Sequence, residues 1–163
     1  ERVTPYFDCS VFYYNPNITN ALEYEKRFLE QEKFINSVYK NSVSLKKGEY
    51  SPEVFFNVVQ GFEKDKEGGN RCFNCYALRL EETAKLAKAN DYDYFTTTLT
   101  VSPHKNAQVI NQIGIELEKK YGVKYLFADF KKCGGYLRSI ELSKKYNLYR
   151  QNYCGCEFSK NTT

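Results

Sequence analysis

The sequence has no tryptophan, no methionine, one histidine and four prolines in 163 residues. It also lacks any apolar run near the ~20 residues that a helix needs to cross a bilayer. No basic start followed by a short apolar core and a small-residue cleavage site marks a secretory signal. A large net charge is absent as well: 24 basic against 20 acidic residues leave +4. That excess does not diagnose a nucleic-acid binder, although it permits one where lysines cluster. Six cysteines are too few for a small disulfide-stapled scaffold, and a chain of this length buries a core without covalent help. These absences point to a reducing, cytoplasmic setting in which the cysteines serve metal or redox chemistry. There, the two sequons Asn17-Ile18-Thr19 and Asn161-Thr162-Thr163 are coincidental. The chain shows no internal repeat and no low-complexity tract. A start at Glu1 with no methionine anywhere carries the expectation of a longer translation product.

What is present alternates between strand and helix. "CSVFYYNPNI" (9–18) predicts a short strand stopped by Asn15-Pro16-Asn17. Thr19 or Asn20 then caps a helix to about Tyr39, with Leu22, Arg27, Phe28 and Ile35 on its facing side. "SVSL" (42–45) is a weaker strand, and Ser51-Pro52-Glu53 opens a helix reaching about Gly61. After the charged loop "EKDKEGGN" a helix is predicted from Arg71 to Asn90, with Glu82 and Lys85 paired on its surface. "DYFTTTLT" (93–100) is the strongest strand candidate, rich in β-branched and aromatic residues. A helix over 106–122 closed by Gly122, a strand "VKYLFADF" (123–130) and a helix over 136–147 complete the chain. The spacing is that of βαβ units in one α/β domain over 1–163, with a three-layer, mainly parallel open sheet. Ligands of such sheets bind beyond the carboxyl ends of the strands. Here those ends are "YYNPNI", "TTLTVSPHKN" and "FADFKKCGG".

Two tight cysteine pairs stand out. Cys72 and Cys75 lie one helical turn apart in "RCFNCY", so both sulfurs can face one point. That spacing suits a metal, an iron–sulfur cluster or a redox dithiol. A structural zinc favours a second C-x-x-C. The chain offers Cys154-Gly155-Cys156 instead, where i,i+2 spacing and an intervening glycine allow a redox disulfide or a single bound metal. Structural zinc and plain disulfides are the alternatives for both pairs. Cys9 and Cys133 stand alone, and lone cysteines ordinarily behave as small buried hydrophobes. His104 follows a strand's carboxyl end and is a candidate general acid or substrate ligand, against the commoner role of holding a loop. Asp129 is either a strand-end turn acid or an oxygen ligand to a metal beside the sulfurs. Lys131 and Lys132, with nearby Arg71, Arg79, Lys105, Arg138 and Arg150, are solvated surface or a phosphate grip.

Taken together, "FYYNPNI…EYEKR", "EGGNRCFNCYALRLEETAKLAKANDYDYFTTTLTVSPHKNAQVINQIG", "DFKK" and "RSIELSKKYNLYRQNYCGC" resemble the epoxyqueuosine reductase QueH family from about residue 11 to 159. The resemblance implies a cobalamin-independent oxidoreductase of queuosine biosynthesis, acting on the epoxide of epoxyqueuosine in a tRNA anticodon arm. It implies an iron–sulfur (4Fe–4S) cluster with Cys72 and Cys75 among its ligands. By the same carry-over, Cys154 and Cys156 are a redox-active pair, or hold a second metal near the cluster. Electrons would come from an unidentified donor, with no membrane involved. The fold implied is the HUP-like layer of the nucleotide alpha-hydrolase type. The family's first strand and its vicinal CC-x-x-C stretch have no counterpart in this sequence. Removing an epoxide oxygen as water takes two electrons and two protons. A thiolate-bound cluster, a dithiol, and Lys131, Lys132, His104 or a tyrosine are the chemical means at hand. The rival enzymatic class, an ATP-dependent tRNA sulfur-transferase of similar fold, needs a Gly-rich phosphate loop after the first strand, and none is present. The rival non-enzymatic class is a zinc-stabilised RNA-binding module.

Overall fold

The computed structural model describes residues 1–40 and 42–159, so the sequon at 161–163 lies outside the described residues. The fold is mixed α/β, with small parallel sheets, and the chain divides into two compact units. One unit comprises Glu1–Pro52 and the chain from Ser143 onward; the other is Glu53–Leu142.

In the first unit, β1 (Cys9–Tyr13), α1 (Ala21–Tyr39) and β2 (Val43–Lys47) form a βαβ unit. The strands pair in parallel from Cys9↔Val43 to Tyr13↔Lys47. Asn20 caps α1, its side chain accepting the Glu23 N–H at 2.9 Å, which satisfies one of the helix's first orphan donors. The core is aromatic. Tyr13, Ile18 and Tyr24 are buried, with Phe28, Leu45 and Tyr50 packed against them. Buried phenols need partners, and both find carbonyls: Tyr13 donates to Tyr24 O and Tyr24 donates to Gly48 O. Ile35 is buried and Phe28 packs inward as the periodicity predicts, but Leu22 is 83% exposed. It lies in the first turn of the helix and does not reach the aromatic core.

In the second unit, α2 (Pro52–Val59) and α3 (Asn70–Ala89) precede β3 (Tyr94–Phe95), α4 (Ala107–Tyr121) and β4 (Lys124–Tyr125). The chain then enters α5 (Gly135–Lys145). β3 and β4 pair in parallel around α4, a second βαβ unit. Residues Cys72, Tyr76, Leu80, Ala84 and Ala87 make one buried stripe along α3, at near-fourfold spacing. It packs with Phe95, Ile110, Leu117, Val123 and Tyr125. Asn106 caps α4 by accepting the Gln108 and Val109 N–H groups, and Gly122 ends it at φ +69.

Both strands of this unit are shorter than their β-rich sequences predict. After Phe95 the chain turns into a 3-10 segment over Thr98–Val101, because Thr97 Oγ1 takes the Leu99 N–H. Threonine hydroxyls offer the backbone this local alternative to a ladder. Beyond Tyr125 the Leu126 N–H still reaches Phe95 O of β3, but the Ala128 and Phe130 N–H groups then turn to the Asn111 and Thr100 side chains instead of to a strand. Gly114 on α4 faces the Tyr125 ring so closely that an added Cβ would lie 2.4 Å from it. Gly114→Ala is therefore expected to destabilise the protein by about 1–3 kcal/mol through overpacking, despite alanine's better helix propensity. Thermal unfolding checks this. Wild-type stability in the variant would mean that the ring yields freely.

Candidate active site

The second unit gathers predicted site residues around the first turn of α3 and the carboxyl ends of β3 and β4. Cys72 and Cys75 are both buried, on the first and second turns of that helix. Gly69 precedes the helix without a side-chain cap. The loop before it is held by Arg71, a buried guanidinium donating to the Glu63 carbonyl at 2.8 Å and to the Asp65 carbonyl. That loop in turn presents the Gly68 N–H to Cys72 Sγ at 3.2 Å. Backbone N–H···S bonds of this kind are among the features that set the potential of a cluster held by cysteine thiolates. Two buried sulfurs one turn apart, one of them hydrogen-bonded by the backbone, fit two ligands of such a group. Among the described residues, no group of three or more His, Cys, Asp or Glu side chains gathers as a metal site.

His104 sits in the exposed turn between the 3-10 segment and α4, its backbone N–H donating to Ser102 Oγ at 3.3 Å. The turn lies beside the loop before α3, because Lys105 Nζ pairs with Glu67 Oε1 at 3.1 Å and stands over the Tyr76 ring. Asp129 and Lys131 are brought together, the ammonium 2.9 Å from the carboxylate. A buried polar pair that the periodicity did not single out fixes their loop. Thr100 accepts the Phe130 N–H on its hydroxyl and the Lys131 N–H on its carbonyl. Asn111 donates to Ala128 O and accepts from the Ala128 N–H and the Tyr125 hydroxyl. Burial pushes the Tyr125 phenol up to about 12, so it stays protonated as a donor. An asparagine on the apolar stripe of α4 was the available signal, since buried amides are kept for specific hydrogen bonds.

The first unit holds Cys154 and Cys156 at the carboxyl end of β1. Cys154 is half-buried and Cys156 buried. The segment is held from three sides. Asn17 Nδ2 donates to Cys154 O at 3.1 Å, and the Thr19 N–H donates to Gly155 O at 3.3 Å. Arg27 donates to Cys154 O at 3.2 Å and to Tyr153 O at 3.1 Å while its Nε pairs with Glu23 at 2.7 Å. Burial raises the Glu23 carboxyl, but hydrogen bonds from Arg27 and Tyr149 outweigh it and the net direction is down. Gly155 has φ +102, and a Cβ there would meet Ile18 Cγ1 at 2.6 Å, so only glycine fits the turn. The carbonyls of Tyr153, Cys154, Gly155 and Cys156 all accept hydrogen bonds, so the turn is pinned. Cys9 is half-buried at the start of β1, whereas Cys133 is exposed at φ +50 before Gly134 and is no buried hydrophobe.

A family model described as Epoxyqueuosine reductase QueH matches residues 2–162. Relatives bearing that same name include one from Streptococcus pyogenes serotype M1, 41% identical over 98% of this chain and 64% of its own length. Another, from Staphylococcus epidermidis, is 44% identical over 98% of this chain and 69% of its own length. A third, from Thermotoga maritima, is 43% identical over 93% of this chain and 79% of its own. The chain thus spans 64–79% of the length of these three curated relatives.

Proposed function

The chain belongs to the epoxyqueuosine reductase QueH family, and we propose on that premise that it reduces epoxyqueuosine to queuosine in tRNA. The observation that carries the reading is the buried Cys72–Cys75 pair with the Gly68 N–H on the Cys72 sulfur. These two residues would hold part of a 4Fe–4S cluster, and on the family pattern its other cysteines belong to a vicinal pair that this chain does not contain. Such a cluster supplies electrons one at a time and needs no cobalamin. The two parallel βαβ units support assigning the fold to the three-layer, HUP-like class.

A dithiol on the chain closes the balance by itself, and a cluster or a proton-carrying side chain would only relay what the dithiol releases. Epoxide plus two thiols gives alkene, water and a disulfide, so Cys154 and Cys156 supply two electrons and two protons per turnover. Lys131 is the residue proposed to carry a proton toward the departing oxygen. Asp129, 2.9 Å from its ammonium, keeps that side chain directed into the 128–131 loop. In this arrangement Asp129 Oδ1 serves Lys131, and the other carboxylate oxygen is the one that would meet a metal. His104, on its exposed turn, is the second proton-carrying group at the same end of the unit. Thr100 and Asn111 hold the loops that carry these groups. Phe127 is 65% exposed at the end of β4, next in the chain to Asp129, Lys131 and Lys132. It offers a face on which an unstacked base can lie, while Lys132 meets a phosphate. No helix among the described residues is long and apolar enough to cross a membrane, and the proposed setting is the cytoplasm.

The test is anaerobic turnover of epoxyqueuosine-containing tRNA by the full-length protein, with its iron, sulfide and visible spectrum recorded. Product formation by a brown, iron- and sulfide-containing protein is the expected result. A colourless zinc protein without turnover would overturn the proposal. Binding of an anticodon stem–loop should weaken as salt rises, with a shallow slope, because a charge of +4 allows few phosphate contacts. Affinity unchanged between low and physiological salt would contradict the docking role of Lys132.

A further inference from the structure

We propose that the two sulfurs of the Cys154–Cys156 pair have fixed and unequal roles: an external dithiol reductant attacks Cys154, and Cys156 is the leaving sulfur. The inference rests on the redox reading of this pair given above. Cys156 is 6% exposed and Cys154 is half-buried, so a reductant in solution meets one sulfur before the other. The backbone gives no means of exchanging them. Cys154 O takes donors from Asn17 and Arg27, and Gly155 O takes the Thr19 N–H. Cys156 O takes both the Ser159 N–H at 3.0 Å and the Ser159 hydroxyl at 2.7 Å. The left-handed turn at Gly155 lies against Ile18 and has no room to swing. A change of redox state therefore moves side chains and leaves the chain path in place. Ser159 Oγ also stands 3.2 Å from Cys154 Sγ, accepting its proton and fixing where that sulfur points.

The exchange balances as follows. A thiolate of the reductant forms a bond to Cys154 Sγ as the Cys154–Cys156 bond breaks. The bonding pair leaves on Cys156 Sγ, which takes a proton. The second thiolate of the reductant then attacks its own sulfur in the mixed disulfide. Cys154 Sγ leaves with that electron pair and takes a proton, and the reductant departs as an intramolecular disulfide. Two electrons and two protons have passed to the pair. Attack must come in line with the sulfur–sulfur bond, which makes access to the attacked atom decisive.

The full-length protein, oxidised with diamide, is exposed briefly to reduced glutathione. At brief exposure the mixed disulfide is the first product, before Cys156 or a second glutathione resolves it. Acid and N-ethylmaleimide quench the reaction, and tandem mass spectrometry of the peptide containing both cysteines locates each adduct. The expected result is glutathione on Cys154 and maleimide on Cys156, with a preference of about tenfold or more at the earliest times. The preference should vanish in guanidinium, where nothing covers Cys156. Glutathione spread evenly, or carried mainly by Cys156, overturns the assignment of roles while leaving the redox pair intact. A preference that survives unfolding also overturns it, since the fold would then not be its cause. If diamide removes no two hydrogens from this peptide, the redox reading itself fails, and the inference with it.

Discussion

Replacing Cys72 or Cys75 by serine is expected to strip iron and sulfide from the full-length protein, on the cluster reading proposed above, while leaving the second unit folded. The loss follows from the chemistry of the ligand, since a serine hydroxyl is a poor substitute for a thiolate toward iron. Reduction of epoxyqueuosine should fall by more than the 10–100-fold typical of losing an outer partner of a metal ligand. The fold survives because the α3 stripe retains Tyr76, Leu80, Ala84 and Ala87 against Phe95, Ile110 and Leu117. Burying a hydroxyl in place of a thiol costs roughly 1–3 kcal/mol, a minor part of the packing of two helices. Iron and sulfide analysis beside circular dichroism reads both effects. Full iron and sulfide in either variant would remove these cysteines from the cluster.

Arg27→Met is expected to show the second large effect, on the first unit. The guanidinium is nearly buried, with 9% of its side-chain surface exposed, and the Glu23 carboxylate it meets has 14%. It also satisfies the carbonyls of Tyr153 and Cys154. Methionine matches much of its length but leaves a desolvated carboxylate and two carbonyls short of a donor. Breaking a buried pair from one side costs about 3–5 kcal/mol. The sign of the pH dependence follows from Glu23, whose carboxyl is held below its ordinary range when folded. Its contribution is present above the unfolded value of about 4.3 and is lost as pH falls through the lower, folded value. The stability gap between wild type and variant should therefore be widest near neutral pH and narrow in acid. Arg27→Lys keeps the charge but not the fork that reaches both carbonyls, and should fall between them. Denaturant unfolding at several pH values measures all three. Equal stability of wild type and Arg27→Met at pH 7 would show that the turn holds itself.

Much of the secondary structure was legible because its signals are local. Asn20 and Asn106 cap helices through side chains that reach donors two or three residues on, and Gly122 ends α4 by the αL conformation that glycine favours. The helix predicted over Arg71 to Asn90 matches α3 to within a residue at each end. The βαβ order could be read from the alternation of such segments, and the two cysteine pairs from their spacing alone. The strands after Tyr94 and Lys124 were less legible. A run of threonines has the composition of a strand, but whether it pairs depends on what its hydroxyls find, and Thr97 and Thr100 find backbone donors.

Tertiary structure alone decided how the backbone of the Cys154–Cys156 turn is held. The Arg27 contacts with Tyr153 and Cys154 span 126 and 127 residues, and that from Asn17 to Cys154 spans 137. No periodicity or cap encodes pairings at that distance. They form because packing α1 on β1 and β2 brings the Arg27 side chain to the end of the strand where the returning chain lies. The same holds for Thr100 and Asn111, whose partners are 14 to 31 residues away, on β4 and the loop after it. Which residues carry sulfur was written in the sequence. Which sulfur is covered, which carbonyls are held and which loop is fixed depended on groups that meet only when the chain has folded, because burial is a property of neighbours and not of residues.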